Sequence, residues 1–387
     1  MKHYVLLLTG MLFQFACSAP KEPIGDGAVE LREFGKFSEV ELFDLVPFFK
    51  KAHYVLLDVS EDLDLYQADK ILAGDGKFFI LDAELGEGIY IFDETGAFVA
   101  DIPIGGNGPG ELPDVEDIAY NADNQTLLVL GSNGRKLFEF SSDGTFIRDR
   151  AFPDQSFYNY IAYGGNDLLY MHTLPSPTFE QSEGPPLLAV LKGDNLERVA
   201  EHVPTPGGLK FSITGEKPLT VQAGQVVLAP AFGPRIYKFN QAGSLEKELF
   251  LPDVAATDNF YQRESFNQFI DMLLDKNELV FADNYVETEH VELMLLVKSG
   301  AQTRWGVWDK KSKQFQLANS LFDGTLQLPL LPHMEIHDKK LLNLFEDEFF
   351  EAYIDEEEQA DLLAGLEAVV PGFKNQSRKF ILCVYEN

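Results

Sequence analysis

His333, Glu335 and His337 alternate along His333-Met334-Glu335-Ile336-His337. In an extended chain, residues two apart share a face and stand about 6.6 to 7 Å apart, so two imidazoles and one carboxylate are expected to face the same way. That is zinc or other transition-metal chemistry, provided a further ligand comes from another part of the chain, because successive same-face positions rarely converge on one ion. The competing reading is a polar lining solvated by water. A second candidate is Gly105-Gly106-Asn107-Gly108-Pro109-Gly110-Glu111. It is superficially like a phosphate loop, but such a loop needs a following helix and usually Gly-Lys-Ser/Thr, and here a strand is expected next. It reads as a turn in which Gly105, Gly108 and Gly110 permit unusual backbone angles, Pro109 fixes the bend and Glu111 is carried toward a binding mouth.

Other chemistry is thinner. The acidic stretches Asp58–Asp64 and Asp355–Glu358 lack the spacing of a calcium loop and read as solvated charge. No Gly-x-Ser-x-Gly elbow is present, and catalytic residues stay unassigned. The aromatic group Phe152, Phe157, Tyr158, Tyr160 and Tyr163 could stack on a sugar or peptide, yet core packing consumes most such rings. Cys383 lies in an apolar run, Phe380-Ile-Leu-Cys-Val-Tyr385, and reads as a small buried hydrophobe.

The chain that must position these groups has 387 residues, 45% of them hydrophobic and 12% aromatic, enough to bury a large core. Its net charge of −31 repels phosphate backbones, which argues against nucleic acid as a partner. At the N-terminus Lys2 precedes an apolar run, Tyr4–Ala16, too short to span a bilayer but fitting the core of a secretion signal. Residues 1–16 are therefore expected to be a signal peptide and residues 17–36 a tether. The only cysteines are Cys17 and Cys383, so a chain lipidated at Cys17 has no internal disulfide.

Residues 37–387 show short apolar runs broken by Gly, Asp and Asn, the pattern of an all-β fold. One phrase recurs at Ile89–Phe98, Leu137–Phe146 and Ile236–Leu245: a strand, a tight turn closed by Gly, and a second strand. Gly96 and Gly144 are 48 residues apart and Gly144 and Gly243 are 99 apart, with Ala189–Asp194 midway, a period of about 49. Another strand pair precedes each phrase, at 71–81, 118–130, 161–171 and 219–229. A fifth unit is expected from about Phe269 through Trp305–Asp309 and a sixth from about His333. Four strands per repeat is the unit of a β-propeller blade. The expectation is a six-bladed β-propeller, closed by pairing an early strand near Ala52–Leu57 with the final strand Phe380–Tyr385. Residues 345–372, acidic and then Ala/Leu/Glu-rich, are expected to be a helical insertion ending at Pro371-Gly372.

Ala16 before Cys17, the repeated blade phrase and the Gly-Pro-Gly-Glu of residues 108–111 together resemble the six-bladed propeller lipoproteins of Gram-negative bacteria related to NHL-repeat proteins. The resemblance implies lipidation at Cys17, although Gln14 and Phe15 depart from the usual residues before it. With Ser18 following, it also implies the outer membrane, the periplasmic or surface face being open. The functional expectation is a monomeric cell-envelope protein, held to the membrane only by its lipid. Its propeller would bind a small molecule, glycan, peptide or envelope protein. No cofactor is expected, although a divalent metal at His333, Glu335 and His337 is the basis of the alternative, a metal-dependent hydrolase or lyase with the channel as active site.

Overall fold

The computed structural model describes residues 27–387 apart from 109, 154–155, 174–182, 207–216, 232, 255–278, 299–301, 332–333 and 355–359. The chain is mostly β and propeller-like. It opens with β1 (Ala28–Leu31), β2 (Ser38–Asp44) and β3 (Lys51–Leu56), of which β1 alone lies inside residues 17–36, the stretch expected to be tether. Three four-stranded antiparallel meanders follow: β4 (Lys70–Gly74), β5 (Lys77–Asp82), β6 (Gly88–Asp93) and β7 (Phe98–Pro103); then β8 (Asp117–Asn121), β9 (Thr126–Gly131), β10 (Lys136–Ser141) and β11 (Phe146–Ala151); then β12 (Tyr160–Tyr163), β13 (Leu168–His172), β14 (Glu183–Lys192) and β15 (Glu197–Pro206).

The next meander is β16 (Leu219–Gln222), β17 (Gln225–Leu228), β18 (Arg235–Phe239) and β19 (Leu245–Phe250). After it come β20 (Val280–Glu287), β21 (Val291–Lys298), β22 (Gln302–Asp309), β23 (Gln314–Asp323) and the short β24 (Leu328–Pro329). The chain closes with β25 (Met334–Asp338), β26 (Lys340–Phe345), helices α1 (Asp347–Tyr353) and α2 (Ala360–Val369), and β27 (Ile381–Glu386). The expected helical insertion thus contains two helices, and Gly372 beyond them takes a left-handed φ of 94°. β3 pairs with β27 from Leu56↔Ile381 to Lys51↔Glu386, joining the first part of the chain to the last.

Six separate sheets were expected from the repeats, but the strand pairing gives four discrete blades. The remaining strands form one nine-stranded sheet, β1-β19-β18-β17-β16-β25-β26-β27-β3. Its two halves are fused where β16 and β25 pair in parallel over Val221↔His337 and Gln222↔Asp338. β20, which lies between them in sequence, is irregular around Asp283, and Asn284 has a φ of 55°. That bulge re-aims β20 and accompanies the direct meeting of its neighbours. β1 adds in parallel to the outer edge of β19, and β2 to that of β23, so the N-terminal segment covers two edges that would otherwise be open to pairing.

The repeated phrase explains the shared turn. Gly96, Gly144 and Gly243 have φ of 90°, 84° and 84°, where a side chain is strained, and each turn is followed by a register shift in the ladder. Asp93 and Asn240 hold their turns by accepting backbone N–H bonds through side-chain oxygens, to Thr95 at 2.8 Å and Ala242 at 3.0 Å. Burial falls outward along a meander: β8 and β9 are buried throughout, whereas β11 alternates between half-buried and exposed. Inner strands covered on both faces accordingly read as continuous apolar runs. Between β4–β7 and β8–β11 the core holds Phe79, Ile91, Ile118 and Val129, each fully buried and each contributing about 2 kcal/mol.

Candidate functional site

The innermost strands meet in a circuit, β4 against β8, β8 against β12, β12 against β16, β16 against β25 and β25 against β4. At one end of it, polar residues stand where these strands begin. Lys70 opens β4, Asp117 opens β8, Tyr160 opens β12, Lys217 precedes β16 and Glu335 is the second residue of β25. All five line one cavity of about 590 Å³. A smaller cavity of about 210 Å³ continues inward and shares Lys70, Leu219 and Glu335 with it.

Two ion pairs bridge different strands across this mouth. Lys70 Nζ donates to both oxygens of Asp117 at 2.8 and 2.9 Å. Asp117 Oδ2 also accepts the backbone N–H of Ile161 at 2.8 Å, so one carboxylate ties β4, β8 and β12 together. Burial pushes the Asp117 carboxyl up against the pull of the Lys70 ammonium. Lys217 Nζ lies 2.8 Å from Glu335 Oε1, with both side chains more than nine-tenths buried. The contact is a direct ion pair, and neither atom makes a further hydrogen bond among the described residues. Asp69, beside Lys70, accepts the Ala83 N–H at 2.7 Å. Its carboxyl is raised by burial, with repulsion from Asp82 and Glu84 adding to the rise.

The residues singled out from sequence separate. Glu335 and His337 do face the channel together, both lining the smaller cavity, but Glu335 is engaged with Lys217 and the His337 ring stands edge-on to Tyr120 at 6.1 Å. His333 lies outside the described residues. Among the described residues no three His, Cys, Asp or Glu side chains gather as a metal set. In the Gly105–Glu111 loop, Gly105 and Gly106 donate to the Leu112 carbonyl at 2.8 and 3.0 Å. Glu111 folds back to accept the Gly108 N–H at 2.6 Å, closing its own turn, and it is absent from the cavity lining. A Cβ at Gly106 would meet the Glu111 Cβ at 2.6 Å, a contact that favours glycine there, whereas at Gly108 it would meet only the movable Glu111 carboxylate at 2.9 Å. Gly110 has a φ of 80°, and Pro109 lies outside the described residues.

Of the aromatic group, Phe152 and Tyr158 are core, packed edge to face at 4.8 Å. Tyr163 donates to Asp123 at 2.6 Å, Phe157 lies on the surface under Arg135, and Tyr160 alone reaches the larger cavity. Asp58, Glu61, Asp62 and Asp64 are exposed, and Asp355–Glu358 lie outside the described residues. Cys383 is fully buried and its thiol is pushed up by burial. Cys17 lies outside the described residues. Sequence reasoning missed Lys70, Asp117 and Lys217, whose signal was a charged residue at or just before each inner apolar run.

Residues 33–372 match the family described as Domain of unknown function (DUF4934). The chain belongs to that family. No curated protein matches it. Among solved structures, this DUF4934 chain is similar to a protein of Bacteroides fragilis NCTC 9343 described as exported, with a TM-score of 0.68 at 14% identity, over 92% of this chain and 100% of that one. It is also similar to a DUF4221-family protein of Bacteroides vulgatus ATCC 8482, with a TM-score of 0.50 at 12% identity, over 88% of this chain and 97% of that one. At these identities the likeness bears on fold alone. The kinship read from sequence therefore reaches a propeller-like fold and the DUF4934 family.

Proposed function

We propose that this is a cell-envelope lipoprotein whose propeller binds its ligand at the mouth formed by Lys70, Asp117, Tyr160, Lys217 and Glu335. The observation that carries the reading is the convergence on one cavity of polar side chains from the starts of separate inner strands. A rigid ring with a few polar groups aimed into a partly apolar hollow of this size suits a bound small molecule, glycan or peptide. The propeller is read as six-bladed, the nine-stranded sheet counting as two blades fused through β16 and β25. Six hydrophobic clusters among the described residues, each between consecutive meanders, support that count.

Residues 1–16 serve as the signal peptide, Cys17 carries the lipid and the outer membrane is the destination, with the protein acting as a monomer. The exported description of the Bacteroides fragilis protein of like fold supports an envelope location. No helix among the described residues is long and apolar enough to cross a membrane. The metal-dependent hydrolase reading gains no support, since Glu335 is taken up by Lys217.

A thermal-shift screen of envelope glycans, peptides and amines tests the binding reading, run on wild type and on Lys217→Met/Glu335→Leu. The double variant replaces the buried pair with apolar side chains of similar volume, a change that leaves stability roughly unchanged or improved. Ligands that stabilise wild type and lose their effect in the variant are expected. Ligands equally effective on both would place binding elsewhere. Radiolabelled palmitate incorporation lost in Cys17→Ser tests the anchor.

A further inference from the structure

The mouth has a chemical preference. Glu335 Oε1 and Lys217 Nζ form a buried ion pair at 2.8 Å, and neither makes a further hydrogen bond among the described residues. An ammonium has three donors and a carboxylate several lone pairs, so a ligand that offers a carbonyl to Lys217 and an N–H to Glu335 adds to the pair instead of replacing it. The charge balance then sets the sign of the ligand. Lys70 and Lys217 are each matched by a carboxylate, whereas Asp69, Glu84 and Glu116 also line the cavity and no Lys or Arg stands in ion-pair contact with them among the described residues. The cavity therefore carries uncompensated negative charge. Leu81, Val115 and Leu219 supply apolar wall for aliphatic stems.

Resting on the reading of this mouth as the binding site, we propose that its ligand is a short peptide bearing lysine or arginine side chains. Backbone carbonyls face Lys217, while ammonium or guanidinium groups meet Glu335 and the rim carboxylates. A point cation fits less well, because the carboxylates are spread along the wall instead of gathering in a metal set among the described residues.

The test is calorimetric titration of the full-length protein, purified in detergent, with trilysine, triglutamate, triglycine and calcium chloride as probes. Glu84→Gln/Glu116→Gln is titrated beside wild type, since both side chains are exposed and their exchange leaves the core untouched. Expected are binding of trilysine alone, affinity about five- to tenfold weaker in the double variant, and weakening with added salt. Trilysine failing to bind at millimolar concentration, binding equally to both proteins, or being outdone by triglutamate, triglycine or calcium overturns the proposal. The thermal-shift screen separates the two readings: a neutral ligand whose effect vanishes in Lys217→Met/Glu335→Leu keeps the mouth and discards only the cationic peptide.

Discussion

Asp117 holds Lys70 by two contacts of 2.8 and 2.9 Å across the boundary between two meanders, and its carboxylate also takes the Ile161 N–H of a third. Three inner strands are thereby registered by one side chain. Removing it strands a largely buried ammonium. Asp117→Leu is predicted to cost about 3 to 5 kcal/mol of unfolding free energy, while Lys70→Met/Asp117→Leu costs far less. Urea melts of the four proteins in the double-mutant cycle measure the coupling, and additive effects of the two sites would contradict the pairing.

His172 is buried, its Nδ1 has no hydrogen-bond partner among the described residues, and burial lowers its pKa from 6.5 to about 4. Between pH 6.5 and 4 the unfolded chain holds a proton there that the fold rejects, so stability falls as pH drops through this window. The full shift corresponds to about 3 kcal/mol. Unfolding free energies of wild type and His172→Gln, measured from pH 7 to 4, are predicted to converge by about that amount as acid is added. A constant difference across the range would show that His172 does not titrate as described.

The repeated turn glycines differ in how closely they are packed. Gly96 has a φ of 90°, and a Cβ there would stand 2.1 Å from the Leu56 carbonyl oxygen, at the end of the closing strand β3. Gly193 has a φ of 69° and nothing within 4 Å. Gly96→Ala is therefore predicted to cost roughly 2 kcal/mol or more, and Gly193→Ala about 1 kcal/mol. Equal losses in thermal melts would mean that backbone strain alone decides both.

Cys383 lies at the centre of the pairing between β26, β27 and β3, opposite Asn343 and Tyr54. Fully buried, with a raised thiol pKa, it should resist maleimide in the native protein and react fully in urea. Rapid native labelling would show that the closure opens readily.

The blades were legible because each phrase repeats a requirement of local geometry: Gly where φ turns positive, a side-chain acceptor at 93 and 240, and continuous apolar runs where strands are covered on both faces. The N-terminal strands were not, because β1 and β2 gain their partners from β19 and β23, more than two hundred residues away, and their own sequences carry charge and are mostly exposed. The fusion at β16 and β25 was hidden for the same reason. The site was partly legible. Alternation placed Glu335 and His337 on the channel, but Lys217, the partner that claims Glu335, is 118 positions earlier and carries no local mark of that contact.

Hydrogen exchange with and without saturating trilysine tests the central claim most directly, since it maps where a ligand sits without altering a residue. The account predicts added protection at the segments around Lys70, Asp117, Leu219 and Glu335, at the starts of β4, β8, β16 and β25. Protection confined to the outer strands or to α1 and α2, with those segments unchanged, would contradict it.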